Sequence, residues 1–392
     1  MISSLPALSG PLSTVSDVER VVAPVPRAPR VPTLHIPSLD GLRAVSFFIV
    51  FVAHAGLPFV LPVPGGFGVT VFFFLSGFLI TTLLRVERQA TGTVSIRNFY
   101  FRRALRILPP FYLVLALALA LTQVGWLPGR TDPRALFAQA GHFANYWFIF
   151  QGSDGVPAGT VPYWSLAVEE HFYLVFPLLY LTLNRYFSRR AQGATLWGLC
   201  AAVCLWRCIL VFGFGVSEDR TYMASDTRFD SILFGCALAV SMNPMLDRPA
   251  GGEKLWKRAL LPAGLALLLL TFVYRAPWFR ETIRYTVQGL ALTPVFVTAI
   301  RFPDWLPFRF LNKRGVAFIG TLSYTLYLTH QIAMMVMHEQ WPALDATTSA
   351  AAALALALAT SYLVHRFVEK PCARLRKRFA GAPSGARVAV AS

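Results

Sequence analysis

Few ionisable side chains interrupt the apolar sequence of this chain, and Arg43 and His54 are the first of them, eleven residues apart. At about 100° per residue an α-helix turns both to one face, roughly 16 Å apart along its axis. Arg43 would then sit at one mouth of a membrane span and His54 near the bilayer centre. An imidazole, with an ordinary pKa of about 6.5, accepts a proton near neutral pH and suits general-base catalysis. A histidine packed against a neighbouring helix fits the same position.

A second constellation is Tyr163-Trp164-Ser165-Leu166-Ala167-Val168-Glu169-Glu170-His171-Phe172-Tyr173. Its two carboxylates open an apolar helix, where negative charge is favoured by the helix dipole. Glu169 or Glu170 could orient an imidazole and stabilise its protonated form; a solvated interfacial cap is the plainer alternative. In Phe99-Tyr100-Phe101-Arg102-Arg103-Ala104-Leu105-Arg106, Arg103 and Arg106 share a helix face. Guanidinium groups there could hold the phosphates of a cytosolic ligand, although basic residues also flank membrane spans as topology signals.

The elements that must position these residues are transmembrane helices. The 392-residue chain is 55% hydrophobic and only 14% charged, against about 25% charged for a soluble domain. Its apolar blocks reach the roughly 20 residues that a helix needs to cross a bilayer. The fold class expected is therefore all-α, a polytopic transmembrane bundle of about ten spans. Secreted, nucleic-acid-binding and ordinary cytosolic proteins are excluded. The spans are placed at 44–63, 67–84, 107–126, 164–183, 195–216, 229–242, 260–274, 285–300, 316–337 and 347–365. Pro109 and Pro110 fall near the entrance of the third, where a missing backbone donor costs least. Residues 136–150 are apolar but short, and are read as interfacial or re-entrant.

The net charge of +17 is mainly a topology signal. Most Lys and Arg fall in 1–43, 85–106, 184–193, 242–258, 301–315 and 366–392, which the positive-inside pattern assigns to the cytosol. An even number of crossings puts both termini there, in a plasma (inner) membrane protein. Residues 1–38 and the last dozen lack helical periodicity. The expected organisation is a disordered cytosolic segment 1–38, a membrane domain 39–371 and a basic cytosolic tail 372–392. The five cysteines form no disulfide framework or CxxC metal spacing. No P-loop, dinucleotide fingerprint, GxSxG elbow or internal repeat is found, so no metal and no tightly bound cofactor is expected.

The chain resembles the acyltransferase 3 membrane family in an ordered set of motifs. Leu39-Asp40-Gly41-Leu42-Arg43-Ala44 followed by His54 is similar to its opening motif, and Phe72-Phe73-Phe74-Leu75-Ser76-Gly77-Phe78-Leu79-Ile80 to its second helix. Arg103-x-x-Arg106, Trp164-Ser165-Leu166 with Glu169-Glu170, and Phe229-Asp230-Ser231-Ile232-Leu233-Phe234-Gly235 follow in order. Leu322-Ser323-Tyr324-Thr325-Leu326-Tyr327-Leu328-Thr329-His330 and Phe367-Val368-Glu369-Lys370-Pro371 complete the set.

The resemblance implies helices around a central pore, with acyl-CoA (acetyl-CoA or a short-chain relative) entering from the cytosol as co-substrate. It implies a hydroxyl acceptor on a surface polysaccharide, a lipid-linked glycan or a macrolide-type natural product. His54 is the expected catalytic base, with Arg43 and Glu169 as catalytic partners. Arg103, Arg106, Trp164, Ser165, Ser323, Tyr324, Tyr327 and His330 are expected to bind substrate. His171 stands where the family more often has glutamine and receives no role. The expected reaction is direct transfer, His54 taking the acceptor's proton as its oxygen attacks the thioester; an acyl-histidine intermediate is the alternative. From another class, a proton-coupled transporter could use a buried His and Glu. Beyond donor, acceptor and lipid bilayer, no nucleic-acid partner is expected.

Overall fold

The computed structural model describes residues 36–57, 63–247 and 251–379. The expected disordered segment 1–38 and the last dozen residues of the tail fall almost wholly outside them. Among the described residues the chain is helical and has no strand. In order come α1 (Leu39–His54), α2 (Gly65–Thr91), α3 (Ile96–Gln123), the short α4 (Pro133–Ala140) and α5 (Ala144–Gln151), and α6 (Trp164–Tyr186). They are followed by α7 (Arg189–Cys208), α8 (Glu218–Met223), α9 (Ser225–Ser241), α10 (Glu253–Leu255), α11 (Leu261–Val273) and α12 (Pro277–Glu281). The last are α13 (Arg284–Arg301), α14 (Leu306–Arg309), α15 (Arg314–Gln340), α16 (Ala346–Val364) and α17 (Lys370–Phe379).

Six of the described helical segments are long and apolar enough to cross a membrane: Gly65–Thr91, Ile96–Gln123, Val161–Tyr186, Arg189–Gly213, Glu253–Val273 and Ala346–Arg376. Their outer faces expose Leu174, Val175, Leu178, Phe212, Leu269 and Val273, a surface suited to lipid rather than water. Inside lie α1, α9, α13 and α15, which carry more polar groups because protein, not hydrocarbon, surrounds them. Helix α9 buries every side chain from Asp230 to Val240.

Small residues let these helices approach closely, as packing in a bilayer requires. A Cβ on Gly77 of α2 would collide with the Ile232 carbonyl oxygen of α9, and one on Gly235 with that of Phe74. Gly320 of α15 meets the Asp40 carbonyl oxygen in the same way, which fixes α1 against α15. A buried ion pair adds direction. Arg207 of α7 reaches Asp230 of α9 at 2.7 Å, both fully buried, and also bonds the carbonyls of Thr227 and Thr282. At the other end Arg85 holds Asp247 at 2.9 Å, and Arg189 pairs with the same carboxylate.

The structure corrects several expected boundaries. Helix α1 ends at His54 instead of running on to Val63, because Gly56 adopts a φ of 61°, a left-handed position that stops helices. Hydropathy had marked the apolar stretch and missed the stop. Helix α3 begins at Ile96, where Ser95 Oγ accepts from the Asn98 amide at 3.3 Å, so Pro109 and Pro110 lie inside it. Hydropathy locates hydrocarbon, whereas caps locate helix ends. Residues 136–150 form α4 and α5, separated at His142, whose φ of 58° breaks the helix. At eight residues each, they extend about 12 Å and neither crosses a bilayer of roughly 30 Å.

Candidate active site

A cavity of about 760 Å³ opens inside the bundle between α1, α2, α3, α6 and α15. It gathers most of the residues singled out in the sequence: Arg43, Arg103, Arg106, Ser165, Glu169, Ser323, Tyr324 and Tyr327 all line it. They come from four helices and are spread over nearly 300 positions of sequence, so only packing unites them. Most of the apolar lining comes from α2, as Val69, Phe72, Phe73, Leu75 and Leu79, with Ile107 of α3 and Leu166 of α6. One chamber thus offers charge at one end and hydrocarbon at the other.

Hydrogen bonds fix the polar lining. Glu169 accepts from Tyr173 Oη at 3.0 Å, and that hydroxyl also bonds Ser76 Oγ. Arg103 lies with its guanidinium carbon 5.1 Å from the centre of the Tyr173 ring. Tyr324 Oη donates to the Ile107 carbonyl at 2.9 Å, tying α15 to α3. Tyr327 Oη and Ser165 Oγ are 2.7 Å apart. Trp164 stands behind this lining, its ring 6.3 Å from Phe73 and 4.7 Å from Tyr222.

A second cavity, of about 900 Å³, shares Arg43, Arg106, Ser323 and Tyr324 with the first. Its other walls include Lys370, Cys372 and Arg376 of α17. Between α16 and α17 the helix widens into a π turn, His365–Glu369, of the kind that often marks functional positions. There Glu369 accepts from Thr325 Oγ1 at 2.5 Å and bonds His365 Nδ1 at 2.7 Å. Arg43 is neutralised by Asp40 at 2.6 Å. Among the described residues no ion pair joins Arg103, Arg106 or Arg376 to a carboxylate. With Arg43, Arg106, Lys370 and Arg376 set against Asp40 and Glu369, the mouth is net positive. Sequence reasoning put Lys370 and Arg376 in a closing motif and a basic tail; their place beside Arg106 depends on how α17 folds back along α3.

His54 and His330 are placed differently. Neither lines the first or the second cavity. The His54 ring lies 5.3 Å from the His330 ring, and His330 lies 5.6 Å from the Tyr327 ring, which does line it. His54 is exposed while His330 is completely buried. The expected alignment of His54 by Glu169 is not what the structure holds: His54 Nδ1 bonds the Val50 carbonyl at 2.9 Å. A carbonyl only accepts, so Nδ1 carries the hydrogen and Nε2 keeps the lone pair. A backbone group one helical turn away has taken the orienting role. His330 follows the same rule, with Nδ1 donating to the Tyr327 carbonyl at 2.8 Å and a buried Nε2 that has no hydrogen-bond partner. Among the described residues no three His, Cys, Asp or Glu side chains cluster as metal ligands.

Comparison with known proteins places these features in a family. The family model described as an acyltransferase domain matches residues 36–366. The peptidoglycan O-acetyltransferase OatA of Listeria monocytogenes is 28% identical over 371 residues, covering 88% of this chain and 57% of that protein. The O-acetyltransferase OatA of Staphylococcus aureus strain NCTC 8325 is 30% identical over 309 residues, covering 76% of this chain and 50% of that protein. A putative O-acetyltransferase of S. aureus strain COL is 29% identical, covering 78% and 52%. The chain thus spans about half the length of the curated relatives it matches. No solved structure matches it.

Proposed function

This chain belongs to the acyltransferase domain family, and we propose that it is a membrane O-acyltransferase moving an acetyl or short acyl group from acyl-CoA to a hydroxyl of a carbohydrate acceptor. The single observation that carries the reading is the pair of adjoining cavities, which share Arg43, Arg106, Ser323 and Tyr324 as lining. A basic mouth carrying Arg106, Lys370 and Arg376 adjoins, across Arg43, Ser323 and Tyr324, an interior lined by phenylalanine, serine and tyrosine. Such a shape suits a ligand with a polyanionic head and a slender neutral arm. Guanidinium groups bind phosphate oxygens in pairs, and the apolar inner wall receives the acyl end.

In this mechanism the acceptor hydroxyl reaches His54 from the side opposite the basic mouth. His54 Nε2 takes the proton as the hydroxyl oxygen attacks the thioester carbonyl carbon. The carbon–sulfur bond then breaks, and the departing thiolate receives a proton, leaving an ester and a free thiol. Glu169, Tyr173 and Arg103 shape the middle of the donor channel and do not orient the base. Because His54 does not line the inner cavity, turnover requires a rearrangement that brings the thioester to its Nε2.

The wider reading has ten crossings, α1, α9, α13 and α15 joining the six apolar spans around a central pore. The membrane domain would run over 39–371, with both termini on the cytosolic face of the inner membrane. The printed name of the Listeria monocytogenes relative, a peptidoglycan O-acetyltransferase, favours a glycan acceptor over a natural product. Purified protein incubated with labelled acetyl-CoA tests the enzyme directly: released thiol and a labelled, hydroxyl-bearing acceptor are expected. Transport of the acceptor with no thioester consumed would sink the proposal.

A further inference from the structure

Away from both cavities, a third of about 520 Å³ lies where α2 and α13 begin, bounded also by α8. Its surroundings carry an unusual excess of positive charge. The guanidinium carbons of Arg228, Arg284 and Arg207 lie 3.9, 4.8 and 5.3 Å from the centre of the Tyr285 ring, and Arg280 lines the cavity. Asp230 neutralises Arg207, and Glu218 neutralises Arg280. Arg228 and Arg284 have no carboxylate partner among the described residues. Arg228 is fully buried and bonds only the Tyr222 carbonyl and Thr70 Oγ1, each at 3.1 Å. Arg284 bonds Tyr285 Oη at 2.8 Å, and the Nε of both arginines is buried without a partner.

A charge buried in protein without a counter-ion is costly, which makes Arg228 and Arg284 candidates for holding an anionic ligand. The two nearest long helices sharpen the signal. Neither α2, preceded by Pro64, nor α13, preceded by Ile283, has a side chain capping its N-terminus, so both present positive dipole ends to the cavity. A separate observation points to a second chemical group. Gln288 lines the cavity and is 2% exposed; one end of its amide bonds Thr271 Oγ1 at 3.2 Å, and the other end has no partner. A buried, half-satisfied amide is a place for a hydroxyl. Tyr222, Tyr285, Pro64, Gly66 and Phe67 complete the lining, together with the Glu218 carboxylate, which is paired with Arg280.

We infer that this cavity binds a phosphate ester bonded to a hydroxyl-bearing group, a phosphorylated sugar or polyol. Arg284 and the field of Arg228 hold the phosphate, and Gln288 pairs with a hydroxyl. The cavity lies at the end of the bundle opposite the basic mouth. Gly65, at the start of α2, packs against Ala53, next to His54. That its occupant is the acyl acceptor rests on the acyltransferase reading; the phosphate site itself does not.

Wild-type protein and the variants Arg284→Gln, Arg284→Lys and Arg106→Gln, reconstituted in phosphatidylcholine nanodiscs, are titrated with glucose 1-phosphate, glucose or glucuronate. Thermal unfolding is read at each concentration. Glucose 1-phosphate should raise the midpoint, with half-saturation at least tenfold higher in Arg284→Gln, less affected in Arg284→Lys and unchanged in Arg106→Gln. Glucose should have no effect. An Arg284→Gln response equal to wild type, or glucuronate acting as strongly as the sugar phosphate, would overturn the inference. Adding phosphatidylglycerol to the nanodiscs separates the sources: suppression of the wild-type response identifies a lipid headgroup as the phosphate ester, and persistence identifies a glycan phosphate. The two readings fail separately. Thioester turnover without an Arg284-dependent response leaves the enzyme and removes this site, and the reverse result leaves the site and removes the enzyme.

Discussion

His54 and His330 come from helices that begin 275 positions apart in sequence, yet their rings stand 5.3 Å from each other. Each commits Nδ1 to a carbonyl of its own helix, Val50 for His54 and Tyr327 for His330. Both imidazoles are thereby held in the tautomer that leaves Nε2 free to accept a proton. The His330 ring also lies 5.6 Å from that of Tyr327, which lines the inner cavity, and so stands between the proposed base and the donor channel.

If His54 is the base, His54→Ala should lower acyl transfer by about 10²–10⁴-fold, the range for losing a positioned general base. Transfer is measured with labelled acetyl-CoA and purified protein. Binding of the donor should change little, since His54 lies outside the cavity that would hold it. Unchanged turnover in His54→Ala would remove the assigned role.

The basic mouth predicts a different kinetic signature. Arg106→Gln and Arg376→Gln should each raise KM for acyl-CoA on the order of tenfold, consistent with losing a hydrogen bond to a charged group of about 1.5–3 kcal/mol. Their effect on kcat should be smaller. Added salt should weaken donor binding in the wild type more than in either variant. An Arg376→Gln enzyme with wild-type KM would show that α17 does not contact the donor.

The buried Arg207–Asp230 pair predicts a stability effect without any direct role in chemistry. Asp230→Ala leaves a guanidinium uncompensated among α7, α9 and α13, and breaking such a pair costs about 3–5 kcal/mol. Thermal unfolding in detergent should show a large drop for Asp230→Ala. Replacing both partners, as in Arg207→Met with Asp230→Leu, should restore much of the loss.

Asp247 gives stability a dependence on pH. Burial pushes its carboxyl up, but hydrogen bonds and charge from Arg85 and Arg189 outweigh this and hold it below the usual 3.8. A carboxyl depressed in the folded state contributes stability above its unfolded pKa and loses it as pH falls through the folded value. The unfolding midpoint should therefore fall as pH is lowered below about 4, and Asp247→Asn should flatten that part of the profile. A wild-type slope unchanged in Asp247→Asn would assign the acid sensitivity to other groups.

Composition and hydropathy by themselves determined that this is an all-helical membrane protein, because apolar runs of bilayer length permit little else. The ordered motifs identified the family and marked Arg43, Arg103, Arg106, Glu169 and Tyr327. Only the tertiary structure decided which of these meet. It placed Arg43, Arg106 and Glu169 around one chamber, moved His54 out of it beside His330, and gave the orienting of that base to the Val50 carbonyl. The physical reason is that periodicity specifies a helix face, whereas a partner depends on helix ends and on how closely backbones approach. Gly56 stopped α1 at His54, and Gly77, Gly235 and Gly320 set the distances between helices. The uncompensated charge of Arg228 and Arg284 was hidden for the same reason: a basic residue is visible in sequence, but the absence of an acid beside it is a property of packing.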